Sequence, residues 1–174
     1  MKDRITLFGK IGFEPENKTK KHNSQSTWKR MAMVYFDGDV TEYYSWFIQK
    51  RYNLVLNKPI RGAHISFIND SIKELSCNGT KTMEQIDATW NAVKKKWNSQ
   101  TIPITLDLEA CTDDKHWWLR VSHDEREILH GIRAELGLGR PFWGLHMTIG
   151  YANEKNLEHS KYIHRLIKKG LIKQ

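Results

Sequence analysis

Short runs of apolar residues, separated by polar and turn-forming residues, recur along most of this 174-residue chain. Runs of this length that are rich in β-branched and aromatic residues predict β-strands. One of them, residues 101–113, alternates apolar and polar positions with a period of two, and Asp113-Asp114 separate it from the next run. These two runs are therefore expected to form an antiparallel hairpin. The predicted strands are residues 4–13 (a strand or a docking arm), 31–39, 63–69, 101–113, 115–123 and 142–151.

Other segments place their apolar residues three or four positions apart, which is the spacing of one face of an α-helix. Residues 40–53, 82–98, 124–139 and 154–170 follow this pattern, and residues 71–79 predict a short helix or a turn. Helices interleaved with antiparallel strands indicate an α+β fold, in which helices cover an antiparallel or mixed sheet. The apolar stripes are Tyr44, Phe47, Ile48 and Tyr52 in the first helix and Ile86, Trp90, Val93 and Trp97 in the second.

The chain has the length of one domain with a hydrophobic core, and residues 1–174 are expected to form that single domain. Residues 14–27 are polar and charged and predict a mobile loop. No window approaches the roughly 18–20 consecutive apolar residues of a membrane span, and the first residues lack the apolar core of a secretory signal. The two cysteines, Cys77 and Cys111, show neither zinc-site spacing nor a disulfide framework, which favours the cytoplasm.

The charge balance and the aromatic content point toward nucleotides. Lysine and arginine outnumber aspartate and glutamate by 28 to 20, which gives a net charge of +8. A basic surface attracts polyanions through electrostatic steering and counterion release. Seven tryptophans add candidates for stacking on nucleobases, although most of them are expected in the core.

Two histidines occupy the same local pattern in two predicted strands. His64 begins His-Ile-Ser-Phe and His146 begins His-Met-Thr-Ile, so each motif is His, apolar, hydroxyl, apolar. About one His-x-Ser/Thr triplet is expected by chance in a chain of this composition, and a third one, at His22, lies in the polar loop. The apolar middle residue, the strand context and a separation of 82 positions distinguish the other two.

The chemistry of these motifs follows from strand geometry. Side chains alternate across a strand, so His64 and Ser66 share one face, as do His146 and Thr148. If the strands are neighbours, two imidazoles and two hydroxyls converge on one phosphate. Because imidazole titrates near pH 6.5, one histidine can accept a proton while the other donates one, and the hydroxyls can stabilise the phosphoryl oxygens. The sequence contains no HExxH motif, no ligand cluster and no P-loop, so neither a metal nor a cofactor is predicted.

The paired motifs resemble those of the 2H phosphoesterase superfamily, which is named for two such histidines. The surrounding sequences, "RGAHISFIND" and "FWGLHMTIGY", in a small basic chain are most similar to the phage anti-CBASS branch, whose enzymes degrade the cyclic oligonucleotide second messengers of bacterial immunity. The resemblance covers most of the chain from residue 31 onward. It implies a two-lobed α+β fold with pseudo-twofold symmetry, in which the sheets form a central groove and the helices lie outside. The chain departs from the family at Ser66, where threonine is commoner, and in residues 1–30, which have no evident counterpart.

The resemblance also implies roles for the motif residues. His64 and His146 are expected to be the general acid and base, and Ser66 and Thr148 to bind the phosphate. The expected activity is metal-independent cleavage of 3′–5′ bonds in cyclic di- or trinucleotides, by which a phage evades CBASS immunity in the cytoplasm of its bacterial host. No cofactor, membrane or stable nucleic-acid partner is implied, and a monomer is favoured.

Four residues near the motifs are candidates for substrate binding. Tyr35 belongs to a predicted strand and suits either base stacking or the core, and Arg61 precedes the first motif. Trp143 and Tyr151 flank the second motif, three and five positions from His146. These odd separations place both on the opposite face if the strand is regular.

Three alternatives compete with this interpretation. The same fold and chemistry suit RNA ends, 2′,3′-cyclic phosphates or 2′–5′ oligoadenylates. A protein of a different class would bind nucleotides or RNA without catalysis, through its basic surface and its tryptophans. The last alternative is a phage interaction protein in which the two motifs are accidental.

Overall fold

The structure is a computed structural model that describes residues 3–15, 30–69, 82–122, 126–141 and 143–171. It confirms the α+β class predicted from the sequence. The strands are β1 (Arg4–Phe13), β2 (Ala32–Tyr35), β3 (His64–Ile68), β4 (Thr101–Asp107), β5 (Cys111–Thr112), β6 (His116–Arg120) and β7 (His146–Tyr151). The described helices are α1 (Asp39–Tyr52), α2 (Met83–Trp97), α3 (Arg126–Glu135) and α4 (Glu154–Lys168).

The seven strands in the described residues form one antiparallel sheet in the order β4-β1-β2-β3-β7-β6-β5. The sheet curls into a half-barrel, because the end of β4 returns to the segment that follows β6. Leu106 forms an isolated bridge with Val121, and the amide of Ser122 donates to the carbonyl of Thr105 at 2.7 Å. This order places β3 and β7, which carry the two histidine motifs, side by side in the middle of the sheet.

The hairpin predicted for residues 101–123 forms only at its tip. Cys111 and Thr112 pair with Trp118 and Trp117 across the turn that starts at Asp113. Strand β4 lies instead at the far edge of the sheet, paired with β1 along its whole length. The alternation in residues 101–107 correctly indicated which side chains are buried, but it carries no information about the partner strand.

The core lies between one face of the sheet and the helices. The predicted stripe of α2 is confirmed, since Ile86, Trp90 and Val93 are all buried. In α1 the buried residues include Tyr44 and Ile48, but Phe47 is 37% exposed, so the apolar face is narrower than predicted.

A fully buried arginine connects α3 to both motif regions. Arg133 donates from Nη1 to the carbonyl of Phe67 in β3 at 2.7 Å, and from Nε to the carbonyl of Gly139 at 2.6 Å. Gly139 lies in the segment that leads from α3 to β7. One side chain therefore links the strand of His64 to the approach to His146.

Several sequence-based predictions fall outside the described residues. These include the short helix or turn at 71–79 with Cys77, and residues 16–27 of the polar loop. Among the described helices, none is both long enough and apolar enough to cross a membrane.

Candidate active site

The two motif strands meet at a pair of core residues. Ile65 of β3 and Met147 of β7 are opposite each other in the antiparallel register, and both are fully buried. The next opposing positions are therefore His64 with Thr148 on one side and Ser66 with His146 on the other. All four of these side chains are partly exposed, on the sheet face opposite to the core.

This register makes a small square of polar side chains, with the two histidines at diagonal corners. Diagonal neighbours on adjacent strands lie about 7 Å apart at their backbones. One phosphate can bridge two imidazoles at that separation. The structure thus brings together the four residues whose chemistry the motifs suggested, although these lie in two groups half a chain apart.

Each histidine is held by a glycine two positions before it. Nδ1 of His64 is 2.8 Å from the carbonyl oxygen of Gly62, and Nδ1 of His146 is 3.1 Å from that of Gly144. Both glycines have left-handed backbone conformations, with φ of +71° and +70°. Since a carbonyl only accepts hydrogen bonds, Nδ1 carries the proton in each ring, and the lone pair of the neutral imidazole is on Nε2.

The glycines belong to matching turns. The amide of Gly62 donates to the carbonyl of Pro59 at 3.1 Å, and the amide of Gly144 donates to that of Pro141 at 3.2 Å. The repeated unit is therefore Pro-x-x-Gly-x-His-x-Ser/Thr, eight residues long, and it occurs as PIRGAHIS and PFWGLHMT. The sequence-based prediction missed the proline and glycine, although their spacing to each histidine is readable in the sequence.

The conformation of Gly144 predicts a specific cost of substitution. A Cβ atom there would meet no heavy atom of the described residues within 4 Å, so Gly144→Ala should act through the backbone alone. The left-handed conformation costs an alanine about 1–2 kcal/mol, and we expect chemical denaturation to show that loss of stability. Gly131→Ala is the matched control, because Gly131 lies inside α3 in equally open space and alanine is the better helix former. Equal effects of the two substitutions would contradict the strained turn.

The ionisation of His146 is shaped by its surroundings. Burial lowers the pKa of His146 below its ordinary value, the hydrogen bond to Gly144 opposes that shift, and the charge of His116 adds to it. The neutral form of His146 is therefore favoured at neutral pH, and a neutral imidazole can accept a proton from a substrate hydroxyl.

The strands on either side complete the floor of the site. In β2, Tyr35 is opposite His64, and their rings lie 6.4 Å apart. In β6, Arg120 is opposite His146, and the ring of Trp118 lies 6.3 Å from that of His146, edge to face. The sequence-based prediction did not include Arg120 or Trp118 in the site. The alternation of "HWWLR" shows that they share a face, but only the register shows that this face meets His146.

A small residue makes room for Tyr35. A Cβ at Gly12 in β1 would come within 2.8 Å of the Tyr35 ring, so the absence of a side chain there allows the ring to lie over the strand. Burial raises the pKa of the Tyr35 hydroxyl, and the nearby charge of Arg61 lowers it. Tyr35 is half-buried beside His64, between the core and the site. The charge of Arg61 lies near enough to change the pKa of the Tyr35 hydroxyl.

The structure places the two aromatic substrate-binding candidates near the second motif, Trp143 and Tyr151, on different cavities. Strand β7 begins only at His146, so the alternation of side chains along a strand does not determine which way Trp143 faces. Trp143 lies in the turn before the strand, is 75% exposed and lines the same cavity as His146. Tyr151 lies at the far end of β7, opposite His116, and lines a different cavity.

A cavity of about 560 Å³ adjoins His146 and Thr148. This volume lies within the range of small-molecule sites. Three tryptophans and a histidine–aspartate pair line the cavity beside the two motif side chains. The lining residues are Asp113, His116, Trp117, Trp118, Trp143, His146 and Thr148. A larger cavity of about 620 Å³ lies elsewhere, between α1 and α4, and contains neither motif histidine.

Neither a metal site nor a similarity to known proteins assigns a function to this site. Within the described ranges, no group of three His, Cys, Asp or Glu side chains is placed to hold a metal ion. Comparison of the chain with protein-family models, with curated proteins and with solved structures finds no match. The residues of this chain therefore carry the assignment of a function by themselves.

Proposed function

We propose that this protein is a metal-independent phosphodiesterase of the 2H type, which uses His64 and His146 as its acid–base pair. The observation that carries the proposal is the duplicated motif at the junction of β3 and β7, where both histidines share one face and both are oriented by a glycine carbonyl. A single motif would be explained as a buried histidine in a strand. Two motifs with the same turn, the same hydrogen bond and adjacent strands are not explained that way.

The order of elements supports the pseudo-twofold symmetry that this proposal includes. Among the elements that the structure describes, the first half runs β1-β2-α1-β3-α2 and the second runs β5-β6-α3-β7-α4, with β4 between them. The sheet order places the corresponding strands at equal distances from the β3–β7 junction. A backbone hydrogen bond also repeats in the two halves. The amide of Phe36 donates to the carbonyl of Ala63 at 3.0 Å, and the amide of Val121 donates to the carbonyl of Leu145 at 3.2 Å.

The proposed reaction begins with a ribose 2′-hydroxyl next to the scissile 3′–5′ phosphodiester. His146, in its neutral form, accepts the 2′ proton while the 2′ oxygen bonds to phosphorus. His64, in its protonated form, gives its proton to the departing 5′ oxygen as the P–O bond breaks. Ser66 and Thr148 donate hydrogen bonds to the phosphoryl oxygens, where charge develops. The product carries a 2′,3′-cyclic phosphate, which water can open to a 3′-phosphate with the roles of the histidines reversed.

Cyclic di- and trinucleotides are the proposed substrates, and their degradation would protect a phage from CBASS immunity in the host cytoplasm. The net charge of +8 favours a polyanion, and the tryptophans beside His146 offer faces for a nucleobase. Tyr35 and Arg61 extend the site on the side of His64. The proposal requires no cofactor and no membrane.

The test is a substrate panel with chromatographic identification of products. We expect cyclic di- or trinucleotides to be opened to linear products that end in a 2′,3′-cyclic phosphate or a 3′-phosphate, at the same rate with and without EDTA. Loss of activity in EDTA would contradict the two-histidine mechanism. Cleavage of linear RNA ends or 2′–5′ oligoadenylate alone would favour the related phosphoesterase activity, and binding without turnover would favour a non-catalytic nucleotide-binding protein.

A further inference from the structure

The site contains a third histidine that the proposed reaction does not use. His116 lies in β6 on the same face as Trp118 and Arg120, because side chains alternate along the strand. Arg120 is opposite His146, so this face of β6 continues the floor of the site. His116 is exposed and lines the same cavity as His146 and Thr148.

The imidazole of His116 is held by Asp113 at the turn between β5 and β6. Nδ1 lies 3.1 Å from Oδ2 and 3.3 Å from Oδ1 of Asp113. The same carboxylate accepts the backbone amides of His116 at 2.6 Å and Lys115 at 3.1 Å. These bonds, led by the amide of His116, lower the pKa of Asp113, so the carboxylate stays ionised. An ionised carboxylate only accepts, so Nδ1 is the donor and Nε2 is left to bind other groups.

The position of His116 suits a second phosphate. It lies four residues along β6 from Arg120, which is about 13 Å along the strand, so its backbone is well separated from that of His146. Its ring nevertheless lines the same cavity as that of His146, and its charge contributes to lowering the pKa of His146. A phosphate bound at His146 and Thr148 would therefore leave His116 at the other end of the same cavity, with Trp118 between them.

We infer that His116, oriented by Asp113, binds the phosphodiester next to the scissile one and so selects substrates with at least two phosphates over mononucleotides. The inference rests on the proposed function, because it assigns the cavity beside His146 to substrate. His116 in its imidazolium form would donate from Nε2 to a phosphate oxygen, a charge-assisted hydrogen bond. Asp113 is a positioning residue, which acts on the substrate only through His116.

The experiment compares two substrates in His116→Gln and Asp113→Asn. The substrates are 3′,3′-cyclic di-AMP, with two phosphodiesters, and adenosine 2′,3′-cyclic monophosphate, with one. We expect His116→Gln to lower kcat/KM for the dinucleotide about tenfold, chiefly through KM, because one charge-assisted hydrogen bond is lost. Because loss of the His116 charge also acts on His146 with either substrate, the readout is the ratio of kcat/KM for the dinucleotide to kcat/KM for the mononucleotide, which should fall about tenfold. Asp113→Asn keeps an acceptor for the two backbone amides, so it should give a smaller effect in the same direction.

Equal losses on both substrates would overturn the inference, since they would indicate a structural role for His116 in the hairpin. No loss on either substrate would overturn it as well. A binding measurement tests this inference independently of whether the protein cleaves the substrate. Calorimetry with His64→Ala and with His64→Ala/His116→Gln should show about tenfold weaker binding of cyclic di-AMP to the double variant. If the unsubstituted protein turns over nothing, the proposed function fails, and the two dissociation constants still decide the role of His116.

Discussion

His64→Ala and His146→Ala should each reduce turnover of the cyclic dinucleotide by about 10²–10⁴-fold, which is the range for loss of a general acid or base. Each substitution leaves one imidazole and both hydroxyls in place, so substrate binding should weaken far less than turnover. Steady-state kinetics should therefore show the loss in kcat rather than in KM. A larger effect of either histidine on KM than on kcat would indicate a binding site without acid–base catalysis.

His159→Ala is the matched control for this pair. His159 is an exposed histidine on α4, outside the β3–β7 junction, so its removal should leave kcat within about twofold. Circular dichroism should give the same spectrum for all three variants, because neither motif histidine is part of the core. Near-full activity in either motif variant would show that the catalytic residues lie elsewhere.

Arg133→Ala should destabilise the protein by about 3–5 kcal/mol, the largest stability effect we expect from one substitution. The change leaves the carbonyls of Phe67 and Gly139 without the donors that now reach them at 2.7 and 2.6 Å. The buried Phe67 carbonyl left without a partner costs about 1–3 kcal/mol, the partly buried Gly139 carbonyl adds a smaller cost, and the space vacated by the side chain adds a cavity cost. Urea denaturation at constant pH measures the free energy of unfolding directly.

Arg51→Ala provides the comparison, because Arg51 is an exposed arginine in the last turn of α1 that lies over the ring of Tyr52. Its removal should cost less than about 1 kcal/mol. A similar cost for the two arginines would mean that Arg133 does not anchor α3. Because Arg133 joins the strand of His64 to the approach to His146, a folded Arg133→Ala protein should also lose activity through a less well-defined spacing of the two histidines.

Hydrophobic periodicity predicted the helices and strands well, because burying one face requires one spacing of apolar residues in a helix and another in a strand. The stripe of Ile86, Trp90 and Val93 is buried as its spacing indicated. Alternation likewise placed Ile65 in the core and His64 on the other face. The partner of each strand did not follow from such patterns, as β4 shows by pairing with β1 instead of its neighbour in sequence.

The site was predictable to the extent that its chemistry repeats in the sequence. Two copies of one motif drew attention to His64, Ser66, His146 and Thr148 without any knowledge of the fold. Arg120 and His116 carry no such repeat, and their relation to His146 depends on the register of β6 against β7. Trp143 was a candidate that a regular strand would place on the opposite face from His146, whereas a turn at Gly144 reorients the chain there and Trp143 lines the same cavity as His146.

The sequence by itself determined the α+β class, the faces of the strands and the two histidine motifs, since each of these depends on residues close together in the chain. Only the tertiary structure decided that β3 and β7 are neighbours, that Trp118 and Arg120 lie beside His146 with His116 on the same cavity, and that Arg133 connects the two motif regions. These relations join residues far apart in sequence, and they arise from how the whole sheet curls and packs, which no local pattern encodes.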